Sequence, residues 1–417
     1  MKNGVIKLSF FHKIRFAFRA LENRNFRLFF FGAFLSLMGT WIQNLTIGWL
    51  VYKLTDSAFY LGLVGFASQI PALILTPIAG VYADRVNRLK VLLATQSLPM
   101  ILAFLLAGLT FSGQITVTAL IVIVIINGMA IAFDTPFRHA FLLEMLGDKK
   151  LIPNAVALNS MLFNTARFIG PSIGGLLIAM FGEAVCFLIN GVSFSGVIIA
   201  LLLMKLPGFV KPAAHKSVFR ELKEGLRYAW NFLPTRYMIS LAMVISFFGL
   251  PFQSFLPVYA ADILKGDSQL LGLLVGALGA GALSGALFLA SRNTISNLPL
   301  MIRNAALLFG MGLMAFSFSK QSWLSLALLF IAGFGMIISF VSINTLLQTA
   351  VAEDRRGRVL ALYSMSFLGF TPVGSLLLGT IAEYISVPYT TLIASSICLI
   401  YALFYATKAK LVKGQLQ

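Results

Sequence analysis

Twelve apolar runs, each roughly 19–25 residues long, follow one another along this chain, and each is long enough to cross a hydrocarbon core as a helix at 1.5 Å per residue. They lie at about residues 28–51, 59–82, 91–111, 116–135, 156–180, 184–204, 238–259, 270–290, 299–319, 323–345, 359–382 and 388–406. A spanning segment must satisfy its own backbone hydrogen bonds, because the hydrocarbon offers none. Runs of this length therefore predict an all-α integral membrane protein with twelve transmembrane helices. Composition agrees: 59% of the residues are hydrophobic and 11% charged, whereas a soluble domain carries about 25% charged residues.

The formal net charge is +18. Its placement argues against nucleic acid as a partner. With the spans drawn, Lys53, Lys265 and Lys320 lie on one side and Arg167 lies inside the membrane; the other 28 of the 32 Lys and Arg residues fall on the opposite side, 27 in alternate loops and the two termini and Arg303 in the first turn or so of its span. That bias is the positive-inside rule and places both termini in the cytoplasm, with some basic residues touching anionic lipid. The expected organisation is a cytoplasmic interfacial helix over 1–27, a six-helix half over 28–204, and a basic linker with an amphipathic helix over 205–236. A second six-helix half over 237–406 and a cytoplasmic tail over 407–417 complete it. Cys186 and Cys398 fall in apolar spans, and His12, His139 and His215 in predicted loops. No metal-ligand spacing, cofactor motif or nucleophile–base pattern emerges, so neither an enzyme nor a metal site is expected.

The fifth run holds the least passive stretch, Arg167-Phe-Ile-Gly170-Pro171-Ser-Ile-Gly174-Gly175. Arg167 lies roughly 16 Å into the run, where a charge costs about 2.5–3.5 kcal/mol on insertion scales. Pro171 removes a backbone donor and is expected to bend the helix. Gly170, Gly174 and Gly175 clear a face for a neighbouring helix. Ser160, Asn164, Arg167, Pro171 and Gly174 share that polar or small face. Other spans carry Gln43, Asn44, Gln69, Asn127 and Gln253. With Arg167 and Asn164 these are the candidate substrate-binding residues, the amides supplying hydrogen bonds and Arg167 a counter-charge for an anionic ligand. Asp134 is the carboxylate best placed for proton coupling. The sequence Asp134-Thr135-Pro136 also reads as a helix start at the end of span four, with Thr135 as N-cap. Between spans two and three, Gly80-Val-Tyr-Ala-Asp84-Arg85-Val-Asn-Arg88-Leu-Lys90 forms a short charged turn.

The two halves repeat. Gly39 and Gln43 match Gly249 and Gln253, and Asp134-Thr135 matches Asn344-Thr345, all at an offset of 210; beyond span ten Asn159-Ser160-Met161 matches Tyr363-Ser364-Met365 at 204. Two six-span halves of like orientation form a parallel repeat, an architecture that places a substrate site near mid-membrane and supports rocking between two states.

These residues resemble the major facilitator superfamily over nearly the whole chain. Gly80-x-x-x-Asp84-Arg85-x-x-Arg88-x-Lys90 is similar to its loop 2–3 signature, which implies a cytoplasmic latch between the halves. Gly170-Pro171-x-x-Gly174-Gly175 resembles the span-five signature associated with antiporters, although Ala157 and Ala166 stand where that signature has upstream glycines. Asn25-Phe26-Arg27-Leu28, Gly39-Thr40-Trp41-x-Gln43, Leu54-Thr55-Asp56-Ser57-Ala58 and Phe133-Asp134-Thr135-Pro136-x-Arg138 resemble the subfamily of enterobactin-exporter-like proteins. The resemblance implies a monomeric, proton-coupled exporter of a siderophore or small amphipathic molecule in a bacterial inner membrane. Multidrug or lysolipid efflux, and siderophore uptake, are the alternatives.

Overall fold

The computed structural model describes residues 18–83, 85–204, 232–292 and 297–414. Among them, twelve helices are long and apolar enough to cross a membrane. In the first half they are α1 (Arg24–Thr55), α2 (Ala58–Tyr82), α3 (Arg88–Phe111), α4 (Val117–Leu146), α5 (Ile152–Phe181) and α6 (Glu183–Leu202). In the second they are α7 (Leu233–Ile263), α8 (Ser268–Ala290), α9 (Leu298–Ser317) and α10 (Ser322–Ala350). There α11 runs in two pieces, Glu353–Leu368 and Phe370–Ile385, and α12 covers Val387–Gly414. The chain alternates between two faces. The proximal face carries the start of α1 and the end of α12; the distal face carries the α1–α2 turn.

Several boundaries depart from the sequence reading. Asn23 caps α1 by accepting from the Phe26 amide at 3.0 Å, so residues 24–27 belong to the first span, not to an interfacial segment. Arg19–Glu22 makes a single 3-10 turn; residues 1–17 lie outside the described residues, as does most of the linker, 205–231. Leu233 to Arg236, expected in the linker, open α7. The tail continues α12 as helix to Gly414, with Ala409 and Val412 buried.

The largest departure is α4. The predicted start at Thr135-Pro136 does not exist; the helix passes through Pro136 to a left-handed C-cap at Gly147 (φ 67°). His139 therefore stands on a helix, not in a loop. The Thr-Pro signature is local, whereas the continuity of α4 comes from tertiary partners that hold Asp134 from the side. Prolines elsewhere leave a visible mark. Pro251 cannot donate to the Phe247 carbonyl, and α7 there passes from a π turn (Ile245–Gly249) to a 3-10 stretch (Leu250–Phe255), a usual response to an interrupted ladder. The freed Phe247 oxygen abuts Gly374 of α11. In α5, Pro171 frees the Arg167 carbonyl, which faces Gly279 of α8; a Cβ there would stand 3.3 Å from it.

The halves meet along two seams with almost no side chains between backbones. On α5 and α8, a Cβ on Gly175 would stand 2.9 Å from the Gly272 Cα, and one on Gly272 would stand 3.0 Å from the Gly175 Cα. On α2 and α11, the corresponding distances for Gly62 and Gly379 are 3.0 Å and 2.9 Å. Gly272 is Gly62 shifted by 210, and Gly379 is Gly175 shifted by 204, so the sequence repeat appears as reciprocal contacts. The glycine run on α5 also divides its work: Gly170 and Gly174 admit Trp41 and Ile42 of α1, while Gly175 admits α8.

Hydrogen bonds between the halves reinforce the distal ends. The Tyr52 hydroxyl donates to Asp262, and Glu383 accepts from the Ser57 hydroxyl at 2.9 Å and the Phe59 amide at 3.2 Å. Ser268 donates to the Gly175 carbonyl at 3.2 Å. Gly175→Val is expected to oppose this arrangement by about 1–3 kcal/mol through overpacking. A cysteine placed at Ala58, 7% exposed at the other seam, should then react faster with a membrane-impermeant thiol reagent. An unchanged rate would mean that the seam does not hold the distal ends together.

Candidate functional site

A cavity of about 450 Å³ opens inside the first half, within the range of sites for drug-sized ligands. Helix α1 brings Ser36, Leu37, Thr40 and Gln43 to it, and α3 brings Thr95, Gln96 and Pro99. From α4 come Asn127, Ile131, Asp134, Thr135, Arg138 and His139. Helix α5 adds Asn159, Ser160, Phe163 and Asn164, and α6 adds Asn190 and Phe194. The spacing of the α4 residues explains their convergence: positions 127, 131, 134, 135 and 138 recur every three or four residues and share one face.

Asp134 sits at the centre of the polar wall. One carboxylate oxygen accepts from the Thr95 hydroxyl at 3.1 Å and from the Gln96 amide at 2.6 Å. The other accepts from Arg138 Nε at 2.9 Å and Nη2 at 2.6 Å. Both side chains are partly shielded, at 13% and 23% exposure. The Arg138 guanidinium also lies 5.7 Å from the centre of the Phe29 ring. Deeper in the half, Asn190 donates to Gln43 at 2.8 Å, both being buried.

The sequence-derived candidates divide. Gln43, Asn127, Asn164 and Asp134 line the cavity. Arg167 does not; it stands one turn beyond Phe163 and Asn164. Its guanidinium lies 5.7 Å from the centre of the Trp41 ring, which meets Phe163 edge-on at 5.8 Å. Among the described residues Arg167 has no ion pair, and Asp134 is paired with Arg138 instead. Asn44 is exposed, one turn from Gly48 and two from Tyr52 on the α1 face that approaches α7. Gln69 is half-buried and donates to the Gly65 carbonyl at 3.4 Å. Gln253 is half-buried in the 3-10 stretch of α7. In the charged turn, Asp84 lies outside the described residues, Arg85 is exposed, and Gly80 borders open space. Arg88 engages Glu144 of α4 at 3.3 Å and the Ala83 carbonyl at 3.0 Å, both within its own half.

The sequence assigned no site role to Arg138, Thr95, Gln96, Asn159 or Asn190, although Arg138 and Asn159 occur within its longer motifs. One signal was available, since Asp134 and Arg138 are four residues apart and meet on any helix. The α3 and α6 partners depend on how helices stack, which spacing along the chain does not encode.

The second half carries the same framework in another chemistry. Asn344 and Gln348 occupy the positions of Asp134 and Arg138, and Gln348 donates to Asn344 at 2.8 Å. Buried Ala305 and Ala306 replace Thr95 and Gln96. Phe309, fully buried, replaces Pro99. Tyr363 replaces Asn159, donates to the Phe340 carbonyl at 2.7 Å, and packs edge-on against Phe367 at 5.0 Å. Aromatic rings thus stand at the positions equivalent to Pro99 and Asn159.

Gln43→Leu would leave a buried Asn190 amide without its partner, at about 1–3 kcal/mol of stability. The expected readout is a lower thermal midpoint in detergent, partly restored in the Gln43→Leu/Asn190→Leu double variant. Absence of that restoration would mean that the two amides are not energetically coupled.

Comparison with known proteins agrees with this architecture. A family model described as transmembrane secretion effector matches residues 16–416. A staphyloferrin A transporter of Staphylococcus aureus is 28% identical over 390 residues, covering 92% of this chain and 96% of that protein. A multidrug efflux pump, Tap, of Mycolicibacterium fortuitum is 26% identical over 366 residues, covering 85% and 88%. Among solved structures, the nucleoside transporter NupG superposes with a TM-score of 0.70 at 16% identity, over 92% of this chain and 98% of that one. A bacterial homologue of the iron transporter ferroportin, in an inward-facing state, gives 0.67 at 17%, over 92% and 99%.

Proposed function

The chain belongs to the transmembrane secretion effector family of major facilitator superfamily transporters, and from that premise we propose that it is a proton-coupled exporter of a small organic anion. It is a multi-pass membrane transporter, not an enzyme. The observation that carries the finer reading is the polar cavity in the first half, beside helices whose distal ends are held together. Thr135, His139 and Ser160 in one half, and Gln348 and Ser364 in the other, are exposed on the proximal side. In this reading the proximal side is the cytoplasm of a bacterial cell and ligand enters from there. Rocking of the two halves, within a monomer, then breaks the distal hydrogen bonds and delivers the ligand outward.

Arg167 supplies the positive charge. An ion without a paired carboxylate among the described residues, held against Trp41, attracts an anionic ligand whose remainder extends into the cavity. The lining amides Gln43, Asn127 and Asn164 hydrogen-bond the ligand body, and Asn44, Gln69 and Gln253 face it when the halves move. Asp134 takes up and releases the coupling proton. Asp84, Arg85 and Arg88, with Gly80 allowing the turn, latch the proximal ends in the opposite state. A siderophore fits this chemistry, and a relative carries a siderophore transporter's name. A cationic drug fits less well, because Arg138 already balances the one carboxylate of the cavity lining.

Everted membrane vesicles under an imposed proton gradient test the reading. Uptake of a catecholate siderophore is expected, and not of a cationic dye. Arg167→Ala should lower flux of the anion about tenfold or more, as removal of a charged hydrogen-bonding partner does, and affect a neutral substrate less. Equal loss for both would make Arg167 a structural residue, and uptake of the dye alone would replace anion export by multidrug efflux.

A further inference from the structure

Arg303 shares with Arg167 the distinction of standing within an apolar run, and α9 holds it beside a stripe that faces lipid. The exposed positions of α9 are Asn304, Met311 and Ala315, continued by Phe318, at spacings of seven, four and three residues. These spacings put them on one side of the helix. Met311 and Phe318, 50% and 65% exposed, meet hydrocarbon in a chain that spans a membrane. Asn304 is the polar member of the stripe, about 10 Å nearer the proximal face than Met311. Arg303 Nε donates to the Asn304 amide oxygen at 2.9 Å. That bond uses one of the five guanidinium N–H groups and neither of the two amide N–H groups. Arg292, at the end of α8, approaches from the other side. Its guanidinium lies 4.8 Å from the centre of the Phe288 ring, with Nη1 3.5 Å from the Met301 sulfur. Met301 and Arg303 flank Asn304 around α9, so one guanidinium stands on either side of the amide. Among the described residues neither has a carboxylate partner, and the intervening sequence Asn293-Thr-Ile-Ser296 contains no carboxylate.

Helix packing does not call for these groups. At the repeat offset of 210 the first half has Leu93 for Arg303 and Ala94 for Asn304, half-buried and exposed in the same way, and Tyr82 for Arg292. We propose that Arg292, Arg303 and Asn304 bind the phosphate of an anionic phospholipid in the leaflet at the proximal face. A guanidinium fork matches two phosphate oxygens at once, and the free amide N–H groups of Asn304 reach a third oxygen between the two cations. Lipid is the source of the phosphate because the amide lies at the end of a hydrocarbon-facing stripe, along which the acyl chains of the same molecule run past Met311. The long arginine stems cover apolar surface while their heads stay at headgroup level. A headgroup with net negative charge suits two cations that lack carboxylates, whereas a zwitterionic one would bring a third positive charge beside them.

The test titrates the purified full-length protein, delipidated in a neutral detergent, with phosphatidylglycerol or phosphatidylcholine, and counts bound lipid by native mass spectrometry. Phosphatidylglycerol should bind about tenfold more tightly, as charge-assisted hydrogen bonds allow. Arg292→Gln and Arg303→Gln should each reduce that preference about fivefold. Arg27→Gln removes an exposed charge at the proximal end of α1 and should change the preference by less than about twofold, since screening confines such effects to nearby charges. The double variant Arg303→Leu/Asn304→Ala carries the pair that the first half tolerates at these positions, so it is expected to fold, and its preference should be lost. Equal binding of the two lipids by the unaltered protein would overturn the proposal. So would an equal loss in Arg27→Gln and Arg303→Gln, which would make the attraction a property of the whole basic face. Displacement of phosphatidylglycerol by glycerol 3-phosphate would make this a site for soluble phosphate and overturn the lipid assignment. Binding here needs no gradient and no transported ligand, so the result is independent of the exporter reading.

Discussion

The arrangement of this protein depends on two places where helix backbones touch with almost nothing between them. At Gly175–Gly272 and Gly62–Gly379 each Cα lies 2.9–3.0 Å from where a Cβ on the other would stand. In a bilayer the apolar effect does not distinguish a helix from lipid, so association rests on close packing and hydrogen bonds. Backbone-to-backbone approach maximises the first. It also brings carbonyls and hydroxyls within reach, as Ser268 and the Gly175 carbonyl show. Such a seam makes a good hinge surface for the same reason. It has few interdigitated side chains to disengage, so two rigid halves can turn on it.

On that frame the halves have diverged in what they enclose. The polar pair at equivalent positions of α4 and α10 is preserved as a contact: Asp134 with Arg138, Asn344 with Gln348. Helix packing therefore needs only a hydrogen bond at this place. The first half has added full charge, and surrounded it with Thr95, Gln96 and Asn159 where the second has Ala305, Ala306 and Tyr363. An ionised pair in a partly shielded site is stable only with its remaining lone pairs satisfied, and Thr95 and Gln96 do that for Asp134. Alanine at both equivalents explains why the second half could not carry the charge. Aromatic rings stand at Phe309, Tyr363 and Phe367 on that side instead.

The residues legible in the sequence were those whose meaning is local. Twelve apolar runs, a glycine face on α5 and the 210-residue repeat needed only spacing to be seen. Misreadings came where a strong local signal lost to a tertiary one. Thr135-Pro136 carries the chemistry of a helix start, yet the helix continues, because Asp134 is gripped from α3 and by Arg138. Arg167 read as the one charge near mid-depth; it stands midway along α5, and its partner is the Trp41 ring. Nothing in the spacing of Trp41 and Arg167 shows that α1 and α5 meet there. Gly170 and Gly174 create that meeting by admitting the Trp41 and Ile42 turns of α1. The charged turn around Asp84 was recognisable as a motif, while its engagement is a property of the pose, with Arg88 turned to Glu144.

The distal closure shows why an internally repeated chain must break its own symmetry to work. Tyr52 and Asp262 are separated by the repeat offset of 210, so they are equivalent positions on α1 and α7, and they meet each other. A contact between equivalent positions lies on the axis that relates the halves. Identical residues there would face themselves: two carboxylates repel, and two phenols share one hydrogen bond where a phenol and a carboxylate form a charge-assisted one. Divergence of this single pair turns a self-contact into a donor and an acceptor. The same logic holds at Ser57, whose partner is Glu383 from the other half and not its own equivalent, Asp267, which instead caps α8 through the Gln269 and Leu270 amides. The bonds that hold the distal ends are therefore products of divergence laid over a frame whose glycine seams remain symmetric.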